Sequence, residues 1–394
     1  MAKRKNGEGT WGSKMIKGTE YKFYRDANGK YFYGKTEKEI KQKRKEYEEK
    51  QQEKIVDTSS LFGDYVMTYL HNHMKLQLQS TTFDAYEDVV VSMVQKYTIG
   101  NCEMSAITEE NMGDYIKELS QKYSKASIDK VFKVIRPALS YAKSHNHIIA
   151  NPLESLKLPS EDNVAVKKKK IPYIIQEDLD KLYKESKRIN IKGFNWGGKI
   201  GEPTYGNNAY AIVLIGHTGL RISELIGLRW QDVDLEQKRI YVKNAVVRVK
   251  NRDANSDKKY TKKEKTPKSK ASVRAIPLSE IALEMIDIFH NQFPNHRPED
   301  FVVLNQNGKS PNARNIQRTL DAMLVRGECS INHCGLHGLR HGFGAILLIN
   351  KVDIKIVSKL LGHEKISTTY DIYIDFTKDQ VQNEVMSVLN KSGQ

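Results

Sequence analysis

The sequence predicts a multidomain chain, mainly α-helical with small β elements. Its 394 residues, 39% of them apolar, are too many for one ordinary hydrophobic core and enough for two or three. Apolar residues recur at three- and four-residue spacing through 57–155 and again from 171 onward, the period of helices that bury one face. Short aromatic or β-branched runs bounded by turn residues occur near the N-terminus and between 238 and 278, where small sheets are expected.

Residues 1–50 carry fifteen Lys/Arg against eight acids, a net +7. There EYKFYRD and KYFYGK flank DANG, and Asn28-Gly29 tolerates the positive φ of a tight hairpin turn. A polar helix, TEKEIKQKRKEYEEKQQEK, follows, with Thr36 placed to cap it and Glu39 three residues on. The segment holds little apolar material, and a disordered basic tail is the alternative reading. Between 57 and 155 the runs SSLFGDYVMTYLHNHM, TTFDAYEDVVVSMVQKYT, TEENMGDYIKELSQKY and KASIDKVFKVIRPALSYAKSHN form a bundle of four to five helices. Ser60, Thr82 and Thr108 sit near the starts, and Gly100 and Pro152 mark breaks. In the linker NPLESLKLPSEDNVAVKKKKIP, Lys167, Lys168, Lys169 and Lys170 are either a solvated run or a crossing of a phosphate backbone.

From 171 a larger α-rich domain is expected. IQEDLDKLYKESKR is a helix with acids early and bases late, matching the helix dipole. A Gly/Asn-rich loop spans 190–208, then NAYAIVLIGHTG gives a buried helix and RISELIGL a short one. KRIYVKNAVVRVK supplies strands, a basic excursion at 250–270 carries a net +6, and VRAIPL returns as a strand. SEIALEMIDIFHNQF, PNARNIQRTLDAMLVRG, HGLRHGFGAILLINK, DIKIVSKLLGH and DQVQNEVMSVLNKSG follow as helices.

Lys+Arg 64 against Asp+Glu 48 gives a formal net charge of +16, which points to a polyanionic partner without separating nucleic acid from a membrane surface. No run approaches 18 apolar residues, and MAKRKNGEGTWGS has no apolar h-region behind it, so neither a membrane span nor a secretory signal is expected and the cytoplasm is the default. Cys102, Cys329 and Cys334 are an odd set lacking the second pair that a zinc site needs, so no metal is expected.

Arg221 follows the glycine that ends an apolar helix, with Glu224 three residues on. His337 and Arg340 are one helical turn apart in HGLRH. The helix that follows would more cheaply start with neutral residues, whereas arginine's planar fork suits a phosphate and keeps its charge at working pH. His363 ends the next helix in LLGHEK, and Tyr370 and Tyr373 follow in STTYDIYID. Together these residues suggest a phosphate-handling site without a metal. His341 reads as a core or cap histidine.

TGLRISEL, HGLRH, LLGH and the terminal YDIY resemble the boxes of the tyrosine recombinase, or phage-type integrase, family, nearest to integrases of conjugative transposons and lysogenic phages. The resemblance covers 171–385 by motif and 57–155 by architecture. It implies catalytic Arg221, Lys268, His337, Arg340, His363 and Tyr373, with Glu224 orienting the neighbouring basic groups and no cofactor. Lys268 precedes a serine ahead of the S-x-R-x-IPL strand, and Lys270 is the alternative; Lys262, Lys263 and Lys265 read as solvated or backbone-touching. Tyr373 lies ten residues after His363, whereas Tyr370, at seven, reads as packing. In the implied reaction Tyr373 attacks a phosphodiester held by Arg221 and Arg340, His337 accepts the phenolic proton, Lys268 protonates the departing 5′ oxygen, and His363 bonds a phosphate oxygen.

The implied organisation is an arm-type DNA-binding domain at 1–53, a three-stranded sheet and helix with Lys22, Phe23, Tyr24, Arg25 and Tyr31 to Tyr33 as contact candidates. A helical core-binding domain at 57–158, a basic linker at 159–170, an α-rich tyrosine recombinase catalytic domain at 171–377 and a C-terminal helix at 378–394 follow. That last helix packs on a neighbouring protomer or, alternatively, in its own. Implied partners are double-stranded DNA at core-type and arm-type sites, a homo-tetramer on synapsed DNA, an excisionase and a DNA-bending host protein, with no membrane. Alternatives are a chromosome-dimer resolvase, a type IB topoisomerase-like enzyme and a non-enzymatic DNA-binding regulator.

Overall fold

A computed structural model describes residues 10–16, 19–26, 29–52, 60–167, 172–189, 201, 203–253, 255–265, 273–305 and 307–371. The chain divides into two compact units, 1–168 and 169–394. It is mainly helical with small sheets, as the periodicity leads one to expect. Among the described residues no helix is long and apolar enough to cross a membrane.

The first unit opens with β1 (Thr10–Ile16), β2 (Thr19–Arg25) and β3 (Tyr31–Gly34), an antiparallel sheet in that order, followed by α1 (Glu37–Gln52). Asp26 stabilises the β2–β3 turn by accepting the Lys30 N–H at 2.8 Å, and Gly29 supplies a φ of +81°. Thr36 caps α1 by accepting the Glu39 N–H at 3.2 Å, while the Glu39 carboxylate reaches the Lys35 N–H, one residue before the cap. Alternation along the strands splits the sheet into two faces. Tyr24, Phe32 and Gly34 face α1, where Arg44 lies over Tyr24, Tyr47 meets Phe32 edge-on and Ile40 is fully buried.

The helical part runs through α2 (Phe62–Tyr69), α3 (Ser80–Val90), α4 (Glu109–Lys122) and α5 (Lys125–Ser144). Phe62, Val66, Phe83, Leu119, Ile128, Ile135 and Leu139 form its core. Thr108 and Asn111 cap α4 reciprocally, at 3.3 and 2.9 Å. Two extensions lie outside the expected pattern: α2 and α3 each continue into a π-helical turn, Leu70–Met74 and Val91–Gln95. The break at Gly100 has a steric cause, since a Cβ there would meet the Val94 carbonyl oxygen at 2.2 Å.

In the second unit α6 (Gln176–Ser186) leads to α7 (Asn207–Thr218), buried at ten of its twelve positions and therefore the central helix. The base of the intervening loop is closed by an Ile189–Pro203 bridge and by the Thr204 N–H on the Arg188 carbonyl. A short α8 (Ile222–Ile226) follows, then β4 (Val233–Asp234), β5 (Arg239–Val242), β6 (Ala245–Lys250), β7 (Tyr260–Lys265) and β8 (Arg274–Pro277). β4, β5 and β8 make one antiparallel sheet; β6 and β7 pair separately, so part of the basic 250–270 excursion is ordered as an exposed strand. The unit is completed by α9 (Glu280–Gln292), α10 (Ala313–Arg326), α11 (Leu336–Ile349) and α12 (Ile354–Leu361), and α6, α9, α10 and α11 all pack on α7.

Two glycines of HGLRHGFG let α11 approach the segment before α6. A Cβ on Gly338 would lie 2.6 Å from the Pro172 carbonyl oxygen, and one on Gly342 2.4 Å from that of Ile174. Gly342→Ala is therefore expected to destabilise the second unit by about 1–3 kcal/mol. Gly113→Ala, whose Cβ would meet only Leu156 at 3.9 Å inside α4, is expected to stabilise the first by about 0.5–1 kcal/mol. Urea unfolding of both variants checks this pair of opposite signs.

Candidate active site

The site grows from three chain ends that meet in the second unit. α7 stops at Gly219, which takes φ +64°; a Cβ there would lie 2.5 Å from the Phe343 ring, so the position is closed to other residues by backbone and by packing. Arg221 then opens α8, and the Glu224 carboxylate reaches back to its N–H at 2.9 Å. Opposite, α12 ends at Gly362, also left-handed at φ +64°, which turns the last carbonyls of the helix outward as acceptors.

Three arginines meet that helix end, on consecutive carbonyls. Arg274 of β8 donates Nε to the Leu360 oxygen at 2.5 Å, Arg340 of α11 donates Nη2 to Leu361, and Arg221 donates Nη2 to Gly362 at 3.1 Å. Arg340 also donates Nη1 to the Gly219 oxygen at 2.8 Å, which joins the ends of α7 and α12. Glu224 is bonded into the cluster as a carboxylate. It accepts Arg221 Nη1 at 2.8 Å and Arg274 at 3.1 and 2.9 Å. Burial opposes its ionisation, but Arg274 first and Arg221 second outweigh that cost and hold the carboxyl at about 2.

Among the described residues, three guanidinium groups and the Glu224 carboxylate leave this centre with an excess of positive charge. Arg340 is only 1% exposed, and burial, then Arg221, pushes it down to about 9, so it remains charged at neutral pH. Its Nε is buried with no hydrogen-bond partner among the described residues. A buried donor left unmade costs about 1–3 kcal/mol, a cost that an acceptor brought by a ligand would remove. A phosphate oxygen suits that donor and the charge.

His337 stands one turn before Arg340 and packs edge-on against His341, ring centroids 4.4 Å apart. Desolvation of its ring first, then the charges of Arg340 and Arg221, lowers its pKa. His363 follows Gly362 directly. Burial first, then Arg340 and Arg221, holds its ring at about 3, so it is neutral at working pH, and its Nδ1 pairs with the buried Thr369 hydroxyl at 2.9 Å. Arg221, Glu224, His337, Arg340 and His363 are thus brought into one electrostatic centre. Lys268, Lys270 and Tyr373 lie outside the described residues, as do Lys168, Lys169, Lys170 and the helix expected at 378–394.

Other expectations change. Tyr370, expected to pack, is 52% exposed. Lys262 is partly buried rather than solvated, its ammonium bonded to Ser310 and to the Pro311 carbonyl. Lys167 is held by the carbonyls of Glu161 and Asp162. In the N-terminal sheet the contact candidates separate by face. Phe23, Arg25, Tyr31 and Tyr33 share the side away from α1, with Tyr31 stacked on Tyr33 and Arg25 over Tyr31. Lys22 and Tyr24 project to the α1 side, where Lys22 pairs with Glu37 at 3.4 Å.

Two residues of the site went unread in the sequence. Arg274 shares its strand face with the buried Ile276, and an arginine at a buried strand position needs a partner; that was the available signal. Thr369 gave none.

Residues 173–380 match the phage integrase family. The chain is 27% identical to the tyrosine recombinase XerC-like protein of Caldanaerobacter subterraneus subsp. tengcongensis, over 92% of each chain. It is 26% identical to tyrosine recombinase XerC of Bacillus subtilis, over 67% of this chain and 75% of that one. Its fold resembles the Tn1549 transposon integrase in complex with transposon right end DNA, with TM-score 0.62 at 18% identity over 82% of this chain and 99% of that one. It also resembles a lambda integrase dimer bound to a core site, with TM-score 0.57 at 14% identity over 95% and 97%.

Because the Glu224 carboxyl is depressed from 4.5 to about 2 in the folded state, its stabilisation is complete above about pH 4.5 and is lost as pH falls through about 2. Glu224→Gln breaks a buried ion pair and is expected to destabilise the second unit by about 3 kcal/mol at neutral pH. In urea unfolding the gap between variant and wild type narrows progressively below about pH 4.5; a gap constant with pH contradicts the assignment.

Proposed function

The chain belongs to the phage integrase family, and from that membership we propose a tyrosine recombinase that cuts and rejoins DNA strands at specific sites to integrate and excise a mobile element. The observation that carries the proposal is Arg340, a buried and charged guanidinium with an unpartnered Nε beside Arg221 in a centre with excess positive charge.

The reaction balances with side chains alone. The Tyr373 oxygen attacks the scissile phosphorus, a P–O bond to tyrosine forms and the P–O5′ bond breaks, leaving a 3′-phosphotyrosyl ester and a 5′ hydroxyl. Extra negative charge gathers on the non-bridging oxygens in the pentacoordinate transition state, where Arg221 and the Nε of Arg340 donate to it. His337 is the base for the phenolic proton, and its lowered pKa keeps the ring neutral and able to accept near neutral pH. Lys268 protonates the departing 5′ oxygen. His363, neutral and oriented by Thr369, donates from its second ring nitrogen to a phosphate oxygen. Religation runs the same steps backward from the 5′ hydroxyl of a partner strand, and exchange of two strand pairs in turn passes through a Holliday junction within a homo-tetramer.

The first unit supplies DNA affinity in this proposal. Phe23, Arg25, Tyr31 and Tyr33 present one aromatic and basic sheet face, suited to a DNA groove at an arm-type site. The segment 60–167 and the lysines Lys167, Lys168, Lys169 and Lys170 serve the core-type site, and residues 378–394 couple protomers. An excisionase and a DNA-bending host protein complete the proposed assembly. A chromosome-dimer resolvase is the second reading, and binding to two separated DNA sites distinguishes the integrase from it.

Two measurements test the proposal. Incubated with nicked suicide duplexes tiled across the DNA flanking the gene, in EDTA, the wild type is expected to form a covalent protein–DNA adduct on a denaturing gel. Tyr370→Phe forms it too and Tyr373→Phe does not; DNA binding without any adduct contradicts the enzyme. Separately, Arg25→Ala and Tyr31→Ala are each expected to weaken arm-site binding by about 1–3 kcal/mol while leaving core-site binding unchanged, read by fluorescence anisotropy.

A further inference from the structure

Resting on the recombinase reading, we propose that Arg274 is a positioning residue for strand cleavage, holding both catalytic arginines in their working orientation without touching DNA. Arg274 is almost fully buried and ties its strand to two other elements. Its two Nη atoms grip both oxygens of Glu224, at 3.1 and 2.9 Å, and its Nε holds the Leu360 carbonyl at 2.5 Å.

Glu224 relays one contact to Arg221, and the end of α12 relays the other to both arginines. Glu224 holds Arg221 twice, at its backbone N–H and at Nη1. The carbonyls of Leu361 and Gly362, which follow Leu360 in the chain, hold Arg340 and Arg221. Removing the fork frees the Glu224 carboxylate to rotate and loosens the α12 end on which both arginines rest. Lysine keeps the charge but cannot span a carboxylate and a carbonyl in one plane.

A second consequence separates positioning from mere bracing. Arg274 is the leading influence holding Glu224 ionised against its burial. Without it the carboxyl titrates closer to neutrality, and a protonated Glu224 no longer orients Arg221 by charge. Cleavage by an Arg274→Gln enzyme should then become pH-dependent where the wild type owes nothing to Glu224.

The experiment is single-turnover cleavage of a nicked suicide duplex by full-length wild type, Arg274→Gln and Arg274→Lys between about pH 5 and 8, with DNA affinity and thermal unfolding measured on the same samples. Loss of an outer-shell partner predicts cleavage slowed about 10- to 100-fold in both variants, with DNA affinity within about threefold of wild type. The Gln variant alone should speed up with rising pH more steeply than the wild type. The proposal is overturned if Arg274→Gln cleaves within about threefold of wild type with an unchanged pH profile. It is equally overturned if cleavage is lost only in proportion to DNA affinity or folding. Should the Gln variant not fold, the Lys variant decides, and wild-type cleavage by Arg274→Lys sinks the idea. A wild type that forms no adduct on any duplex instead contradicts the recombinase reading itself.

Discussion

The candidate site of the second unit is gathered at the C-terminal end of one short helix. The last carbonyls of α12, at Leu360, Leu361 and Gly362, carry the partial negative charge of a helix end. They draw Arg274, Arg340 and Arg221 into one place. Without such acceptors three guanidinium groups would separate, since like charges about 4 Å apart repel by about 4 kcal/mol in a protein-like dielectric. Gly362 exposes these carbonyls, Gly219 contributes another for Arg340, and Glu224 cancels part of the charge.

This arrangement requires close packing of α11. α11 must come close enough to bury an entire arginine, and Gly338 and Gly342 permit it by letting the helix touch the backbone before α6. Leu348, Val357 and Leu361 form a small separate core that fixes α11 against α12. The cost of burying Arg340 is met in part by backbone acceptors on two of its nitrogens, while the third has no partner among the described residues. A donor fixed in advance needs little reorganisation when charge develops on a phosphate, and such preorganised donors are the largest single source of rate in many enzymes.

Most of this was legible in the sequence where it is carried by side chains at helical or strand spacing. HTGLRISEL announced an arginine after a helix-ending glycine, and HGLRH put a histidine and an arginine one turn apart. The polar helix after Thr36 and the buried helix ending at Thr218 follow the same logic. The acceptors that gather the arginines could not be read, because a backbone carbonyl is the same at every residue and only tertiary contact selects Leu360, Leu361 and Gly362. Arg274 is legible only from its place on the same strand face as the buried Ile276. The exposure of Tyr370 is not legible, because an aromatic residue after two threonines fits packing and exposure equally well. Lys22 and Arg25 looked alike until the register separated the sheet faces.

The account turns on Arg340 as a buried guanidinium whose Nε waits for a phosphate oxygen, and nitrogen-15 NMR of arginine Nε–H groups addresses it directly. With selectively labelled arginine and Arg340→Lys to assign the signal, the Arg340 Nε–H is expected to exchange slowly with solvent in the free protein. Its resonance should move downfield when a core-site duplex binds. An Arg340 signal unchanged by DNA that the protein demonstrably binds would contradict the account, because the unpartnered donor would then have some other purpose.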